Sequence, residues 1–491
     1  MKEEYYLGSD MGTSSCKTVI INREGDILGQ ASKEYWPDTD NGSIAEIDPE
    51  IWYRSFLYTL KEACSKASIL PESIGGIGLT GQMVTLIGVD KRGVPVRPAI
   101  LWYDKRGYEY LDNLNIKQKE TIRLITRNPV NPTFTLPKLL WVKYNEPDTF
   151  EKIFKILWSS DFIRMKLTGN YCTDMTYASS SLIYDLNNNK WSDEIINLFD
   201  LPEDIFPEIY PATNIAGKIS IDAARETGLR KDVPVIVGTG DIGADNISAG
   251  ITGAGQGVIR FGSCATISIC TAEPLLDKSD KCPCSSHSIP GLFLIQGTSA
   301  SFGESLRWFK EIFYQDTKDI NVYDVINKEI SEIEPSLDDI LFYSFTKAGP
   351  YWMKDKKGKF IGIEGNHRRG HFARALYEGI SFDLKVALLN LQKIDGIKIP
   401  QVFTALGGGT NSSELCRIAA NTLNCNLRLV KEVSASLGAA LLAIIGINKI
   451  KEYQKYISKV VGYFSEVRTE RNLVDLYDKK FDLFKKFIRT I

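Results

Sequence analysis

The chain has 491 residues, a hydrophobic fraction of 43%, a charged fraction of 24% and a formal net charge of −2. This length exceeds the ~100–250 residues of a single domain, so we expect two large domains. The near-neutral charge argues against a nucleic-acid or membrane partner, since either would favour a basic surface. The nine cysteines lack a framework spacing, and we see no signal peptide or apolar span, so we predict a cytoplasmic protein.

The N-terminal residues alternate between strands and short polar turns. Residues 5–9 and 17–22 are apolar, and a hairpin turn at 23–26 leads into a third strand. Residues 49–67 carry apolar side chains at helical spacing, and residues 74–79 form a buried strand after them.

A comparable order of elements begins again at residue 257. Two apolar strands flank a small hydroxyl-bearing turn, as in the first half. The pattern then predicts further strands and helices at 292–295, 301–313, 370–391, 402–406 and after 411, with a buried helix at 437–447. Two halves that begin alike predict an internal duplication, with domains at 1–245 and 246–491.

The turn at residues 10–17 has the residue types that surround phosphate groups. Its backbone N–H groups and hydroxyls can contact phosphate oxygens, which predicts a role for Gly12, Thr13, Ser14 and Ser15. Asp10 can hold a hydrated Mg²⁺, and Lys17 adds a positive charge. Alone, this is an ordinary serine-rich turn.

A second turn of this kind contains Gly262 and Ser263, one turn in each half of the chain. Two such turns can face one another across a cleft and clamp a triphosphate. The glycine run at 407–409 lets the backbone approach a flat ring or ribose closely. Neither a P-loop nor a G-x-G-x-x-G fingerprint is present at the first helix, so we predict a two-lobed clamp.

Between the halves, a buried strand at 235–237 ends in a small turn that presents Asp241. A carboxylate there can take the proton of an alcohol as it attacks phosphorus. The alternative is structural, because Asp241 or Asp245 can cap the helix that follows.

Several motifs resemble those of the FGGY carbohydrate kinases, almost from end to end. Residues 135–141 (TLPKLLW) resemble the first family signature, and residues 358–363 with 371–378 resemble the second. Further agreement lies at residues 48–52, 81–83 and 102–106. The resemblance implies an α/β fold of two actin-like (ribonuclease-H-like) domains, with ATP and Mg²⁺ in a deep interdomain cleft that closes over the sugar.

The resemblance also implies roles for individual residues. Asp241 takes the position of the catalytic base, and Asp245 is the second choice. The implied ATP-binding residues are Thr13, Ser14, Ser15 and Lys17 in the first phosphate loop, Gly262 and Ser263 in the second, and Gly303, Gly408 and Ser412 at the adenosine end. Ser263 keeps the hydroxyl of the threonine that the family usually has there.

The implied sugar-binding residues are Gln82, Met83, Val84, Trp102 and Asp104. Glycerol kinases carry Arg-Glu where this chain has Met-Val, so glycerol is not the expected substrate. Xylulokinases carry Gln-Met-His, from which only Val84 departs. We therefore expect a ketose such as D-xylulose, phosphorylated at a terminal hydroxyl, with ribulose, erythritol or gluconate types as alternatives.

Two other functions share these features. An ATPase switch of the actin or heat-shock chaperone type uses the same clamp, and a pseudo-kinase would bind sugar as a sensor. The sugar-type segments and FGGY signatures favour a kinase over the switch, and Asp10, Asp241 and Ser263 speak against the pseudo-kinase. A homodimer is compatible with the family. Cys282, Cys284 and His287 lack zinc spacing, so we predict no metal site there.

Overall fold

The computed structural model describes residues 4–40, 44–262, 264–299, 301–317, 321–344, 357–430 and 433–489. These residues form two lobes, each built around a mixed β-sheet with helices packed against it.

The N-terminal sheet combines an antiparallel meander with parallel strands. Its strands are β1 (Tyr5–Met11), β2 (Ser15–Ile21), β3 (Ile27–Glu34), β4 (Ile74–Gly81), β5 (Ile215–Lys218), β6 (Pro234–Ile236) and β7 (Thr239–Gly240). Their spatial order is β5-β6-β4-β1-β2-β3, and β7 pairs with β4. Strands β1, β2 and β3 are antiparallel neighbours, whereas β4 runs parallel to β1 and to β6.

The C-terminal sheet repeats this arrangement. Its strands are β8 (Gly257–Phe261), β9 (Ala265–Thr271), β10 (Cys284–Ser286), β11 (Phe293–Thr298), β12 (Val402–Leu406), β13 (Asn426–Val430) and β14 (Tyr463–Val467). The spatial order is β10-β11-β9-β8-β12-β13-β14. Strands β8, β9 and β11 form the meander, and β12 and β13 continue it in parallel, as β4 and β6 do in the first sheet.

Helices flank both sheets. In the first half they are α1 (Pro49–Lys66), α2 (Tyr108–Asp112), α3 (Ile116–Thr126), α4 (Thr135–Asn145), α5 (Pro147–Phe150), α6 (Ser159–Thr168), α7 (Met175–Ser179), α8 (Asp193–Leu198), α9 (Ile221–Thr227) and α10 (Asp241–Ser248). In the second half they are α11 (Gly303–Phe313), α12 (Val322–Ser331), α13 (Arg369–Gln392), α14 (Ser413–Leu423), α15 (Ala435–Ile447), α16 (Tyr453–Val460) and α17 (Arg471–Arg489). None of the helices in the described ranges is long and apolar enough to span a bilayer.

Short accessory strands and turns lie outside the two large sheets. The accessory strands are Asp38–Thr39 with Ala45–Ile47 and Ala99–Ile100, Ile87–Val89 with Lys155–Leu157, Cys172–Asp174 with Glu208–Tyr210, Tyr184–Asp185 with Lys190–Trp191, and Leu341–Tyr343 with Lys359–Ile361. Turns of 3₁₀-helix occur at Pro71–Ser73, Glu203–Ile205 and Gly408–Asn411.

The repeated strand order confirms the predicted two actin-like domains, and the predicted elements are found close to their expected bounds. Helix α1, for example, begins where the Asp48 side chain accepts a hydrogen bond from the Glu50 backbone N–H at 3.0 Å, and Pro49 occupies the first turn. The predicted domain boundary at residue 245 falls inside α10 and stays a prediction.

Helix α15 belongs to the second half of the chain but packs on the first sheet. A Cβ atom on Gly8 of β1 would lie 1.9 Å from the Ser436 carbonyl oxygen, and one on Gly78 of β4 would lie 1.9 Å from that of Ala439. The helix is buried along almost its whole length, as its apolar run predicted. Its side chains join residues of both sheets in one hydrophobic cluster between the lobes.

Candidate active site

The ends of three neighbouring strands bring the predicted catalytic segments together. Met11 at the end of β1 is paired with Gly81 at the end of β4, and Gly81 is paired with Gly240 at the end of β7. These strands are parallel, so their carboxyl ends meet at one edge of the sheet. The turn after Asp10, the segment after Gly81 and Asp241 therefore lie side by side.

Asp241 is the first residue of α10, and the helix cap is Gly240, which makes no side-chain capping bond. The Asp241 Oδ1 atom accepts a hydrogen bond from the Ile242 backbone N–H at 2.8 Å. Asp245 lies one turn further along the helix, so neither aspartate occupies the cap position. The Asp245 Oδ2 atom lies 3.0 Å from the Arg260 Nη2 atom, which reaches across from β8 of the other lobe.

Three carboxylates crowd this edge. Burial, and then the charges of Asp241 and Asp245, raise the pKa of Asp10 to about 8. Burial and the charge of Asp245 raise the pKa of Asp241 to about 7, while Arg260 opposes that shift. Burial also raises the pKa of Asp245, against the lowering effect of Arg260. The site therefore disfavours three simultaneous negative charges unless a cation joins them.

The residues at this edge fit a Mg²⁺ ion. The Asp10 Oδ1 atom is buried and has no hydrogen-bond partner, although carboxylate oxygen is a preferred Mg²⁺ ligand. No group of three or more His, Cys, Asp or Glu side chains in the described part of the chain is arranged to hold a metal. In a phosphotransferase, one or two carboxylates share Mg²⁺ with water and phosphate, and Asp10 would be such a carboxylate.

The turn between β1 and β2 is closed by two hydrogen bonds at Gly12, one within the backbone and one from a side chain. The Gly12 N–H donates to the Ser15 carbonyl at 3.1 Å, and the Tyr35 hydroxyl donates to the Gly12 carbonyl at 2.6 Å. Ser14 is exposed, and Thr13 accepts a hydrogen bond from the Trp102 indole N–H at 3.0 Å. Lys17 is exposed and close enough to lower the pKa of Asp10.

A cavity of about 290 Å³ lies at the corresponding end of the C-terminal sheet. It collects four of the residues predicted to contact ATP, namely Gly262, Gly303, Gly408 and Ser412. The Gly303 N–H donates to the Gly262 carbonyl at 3.0 Å, which joins the second turn to the start of α11. The predicted Ser263 lies outside the described residues.

Aromatic rings and glycines shape this cavity. Phe261 and Phe302 are stacked with ring centroids 5.0 Å apart. A Cβ atom on Gly409 would lie 2.7 Å from the Phe261 Cβ atom, so the glycine run packs closely against this wall. The Ser412 hydroxyl caps α14 by accepting from the Leu415 N–H at 3.2 Å. A flat, partly apolar ligand fits such walls.

The segment after β4 lies beside the carboxylates. Gln82 is buried, its N–H donates to the Met11 carbonyl at 3.0 Å, and its Oε1 atom has no hydrogen-bond partner. Val84 has a φ of 63°, in the left-handed region that β-branched residues rarely adopt. Trp102 is 45% exposed, a large fraction for an indole, and stands over the turn that holds Thr13.

Asp104 is engaged within the protein. Its carboxylate accepts from the Arg106 guanidinium at 2.8 and 2.9 Å and from the Ala45 N–H at 2.7 Å. Arg106 also pairs with Glu46 at 2.6 Å. The structure thus brings Asp104 next to the predicted site as the anchor of the Trp102 loop, and its contact with sugar stays a prediction.

Two residues of this region were missed by the sequence reasoning. Arg260 bridges the lobes, and the available signal was a single basic residue within an apolar strand. Lys138 is fully buried, and its ammonium group donates to the Val84 carbonyl at 3.0 Å. It lies in the segment that resembles the first family signature, but its partner is distant in sequence.

Known proteins resemble this chain over nearly its whole length. Family models for the N-terminal and C-terminal domains of the FGGY family of carbohydrate kinases match residues 5–248 and 258–447. A xylulose kinase of Lactococcus lactis subsp. lactis is 29% identical, covering 99% of this chain and 97% of the relative. The crystal structure of a xylulose kinase from Rhodospirillum rubrum matches with a TM-score of 0.90 at 25% identity, covering 99% of both chains.

A glycerol kinase of Plasmodium falciparum, solved with ADP, matches with a TM-score of 0.88 at 21% identity, covering 100% of this chain and 98% of that chain, and supports the fold alone. The two family models together span every segment that carries a predicted site residue. The chain therefore belongs to the FGGY family of carbohydrate kinases.

Proposed function

We propose that this carbohydrate kinase transfers the γ-phosphoryl group of ATP to a terminal hydroxyl of a ketose, with xylulose as the first candidate. The proposal for xylulose is supported by the named relatives and by Gln82 and Met83, which match the xylulokinase pattern. The departure at Val84 keeps ribulose, erythritol and gluconate types as alternatives.

Asp241 is proposed as the general base. The observation that carries this role is the position of its carboxylate at the lobe junction, beside Asp10 and outside a helix cap. A base works best when its pKa is near the working pH, and burial raises the pKa of Asp241 to about 7. Asp241 would hold the attacking hydroxyl by a hydrogen bond and accept its proton.

The other predicted site residues would hold the phosphates, the adenosine, the sugar and the Mg²⁺ ion in position. Gly12, Thr13, Ser14, Ser15 and Lys17 would hold the phosphates from one lobe, with Gly262 and Ser263 opposite, and Gly303, Gly408 and Ser412 would line the adenosine end. Gln82, Met83, Val84, Trp102 and Asp104 would orient the sugar. Asp10 would hold Mg²⁺, through water, and bound Mg²⁺ supplies charge neutralisation on the phosphates.

The substrate test is a coupled measurement of ADP release over a panel of sugars. The panel contains D-xylulose, L-xylulose, D-ribulose, erythritol, gluconate and glycerol. We expect a ketose to raise turnover well above the rate without sugar, and glycerol to have little effect. Turnover that no sugar raises would favour the ATPase switch instead.

The base is tested by Asp241→Asn with Asp245→Asn as the matched control on the same helix. Loss of a general base lowers rates by about 10²–10⁴-fold, so kcat should fall by at least this amount in D241N while the sugar still binds. The control should lose less. A larger loss in D245N than in D241N would move the base to Asp245.

A further inference from the structure

Lys138 is fully buried, and the contacts of its ammonium group within the described residues are with backbone carbonyls and not with a carboxylate. Its side chain extends from α4, and its ammonium group donates to the backbone carbonyls of Val84 at 3.0 Å, of Phe134 at 3.2 Å and of Thr133. An ammonium group is expensive to bury, and an apolar side chain would fill the same space at less cost. Its three donors are matched by three acceptors, which points to a role that only a cation with three N–H bonds can fill.

One of these acceptors belongs to a strained residue. Val84 has a φ of 63°, a conformation that costs a β-branched side chain free energy and persists only where the surroundings hold it. The segment is tied at both ends by backbone bonds, from the Gln82 N–H to the Met11 carbonyl and from the Leu86 N–H to the Ile100 carbonyl. Between these ties, Lys138 holds the carbonyl of Val84.

We propose that Lys138 is a positioning residue that holds Val84 in its left-handed conformation and so sets the shape of the surface that meets the sugar. The inference rests on the proposed function, because that is what assigns Gln82, Met83 and Val84 to the sugar. Lys138 acts through Val84 and does not itself touch the substrate. Its removal affects the binding of sugar and leaves that of ATP, which is held by other segments, unchanged.

The charge state of Lys138 gives this role a pH dependence. Burial lowers the pKa of Lys138 to about 7, and the charged groups that face it are Asp104, which opposes this shift, and Arg106, which adds to it. A neutral amine has two N–H donors for three carbonyls. As pH rises through 7, the bond to Val84 weakens, and the KM for sugar rises.

The test is a double-mutant comparison of sugar KM. Loss of a charge-assisted hydrogen bond predicts that Lys138→Met raises the KM for sugar by about 10-fold or more at unchanged KM for ATP. Glycine adopts positive φ without strain, so the same K138M change in the V84G background should alter the KM for sugar by less than about 2-fold. A purely structural role predicts the same effect of K138M in both backgrounds.

The pH profile of the sugar KM is the second readout, and for the unmodified enzyme it does not depend on whether a variant folds. Sugar KM of the unmodified enzyme should bend upward near pH 7, whereas Lys138→Arg, which stays charged, should remove the bend. A flat profile in the unmodified enzyme, or equal K138M effects in the unmodified and V84G backgrounds, overturns the inference. An enzyme that turns over no sugar refutes the proposed function instead, so the two failures are distinguishable.

Discussion

The burial of Asp10 should lower the stability of the folded protein, although the proposed kinase activity needs its carboxylate. Its pKa is raised to about 8 because burial and two neighbouring carboxylates disfavour its charge. We expect Asp10→Asn to increase the free energy of unfolding at pH 7, since the Asp10 carboxyl is ionised in the unfolded chain at that pH but is held mostly protonated in the folded chain. The same change should abolish most kinase activity.

Urea unfolding of D10N and the unmodified protein without Mg²⁺ checks this expectation. Asp90→Asn is a suitable control, because Asp90 lies on the surface and makes its bonds within its own turn. A D10N variant that is less stable than the unmodified protein would show that the carboxylates are not in conflict.

The burial of His287 predicts that the stability of the protein depends on pH. It is fully buried, and burial lowers the pKa of His287 from its usual 6.5 to about 4. Between these two values the unfolded chain binds a proton that the folded chain does not, so stability falls as pH falls from 6.5 towards 4. The expected loss attributable to His287 between pH 7 and pH 5 is about 2 kcal/mol.

The contribution of His287 is isolated by comparison with His287→Asn, whose side-chain oxygen can replace the Nδ1 atom that accepts from the Ile289 N–H at 3.0 Å. Both proteins share the buried carboxylates, whose raised pKa acts in the opposite direction. The stability difference between them should change by about 2 kcal/mol over this range. A constant difference would mean that His287 does not titrate in this way.

At the scale of elements, the packing of α15 sets the position of α10. A Cβ atom on Gly438 would lie 1.9 Å from the carbonyl oxygen of Ala244, next to Asp245. We expect Gly438→Ala to destabilise the protein by about 1–3 kcal/mol through overpacking. It should also lower kcat, because α10 carries Asp241.

Thermal unfolding and sugar-dependent turnover measure both effects. Gly365→Ala is the matched control, since no atom lies within 4 Å of its added Cβ atom. Normal kcat in a folded G438A variant would show that α10 can shift without disturbing the base.

At the scale of the whole molecule, the lobes meet through charge as well as apolar packing. Arg260 of β8 pairs with Asp245 of α10 and lowers the pKa of both Asp245 and Asp241. Arg260→Gln would leave an uncompensated carboxylate at the junction. We expect kcat to fall by about 10-fold or more, since removing one partner of a partly buried ion pair leaves the other charge uncompensated.

Arg260→Lys tests whether charge or shape matters. It keeps the positive charge and should retain more activity than R260Q, measured as kcat at saturating sugar and ATP. Equal losses in the two variants would mean that the bonding geometry of the guanidinium matters more than its charge.

Much of the fold was predictable because its helices and strands depend on the spacing of apolar residues that are close together in the chain. The strand at 402–406 and the helix that follows the glycines depend on short-range periodicity, and both are found. The placement of Asp241 at the edge of the sheet was predictable because this residue follows a buried strand. Its surroundings were not, since a strand-end aspartate has no local signal that separates a helix cap from a site residue.

The amino-acid sequence by itself determined the family, the two repeated sheets and the turns that can hold phosphate, because each depends on residues close together in the chain. Only the tertiary structure decided which distant residues act together. It placed Arg260 against Asp245, α15 on the sheet of the other half, and Lys138 against Val84. Such contacts depend on how the two lobes pack, which local periodicity does not specify.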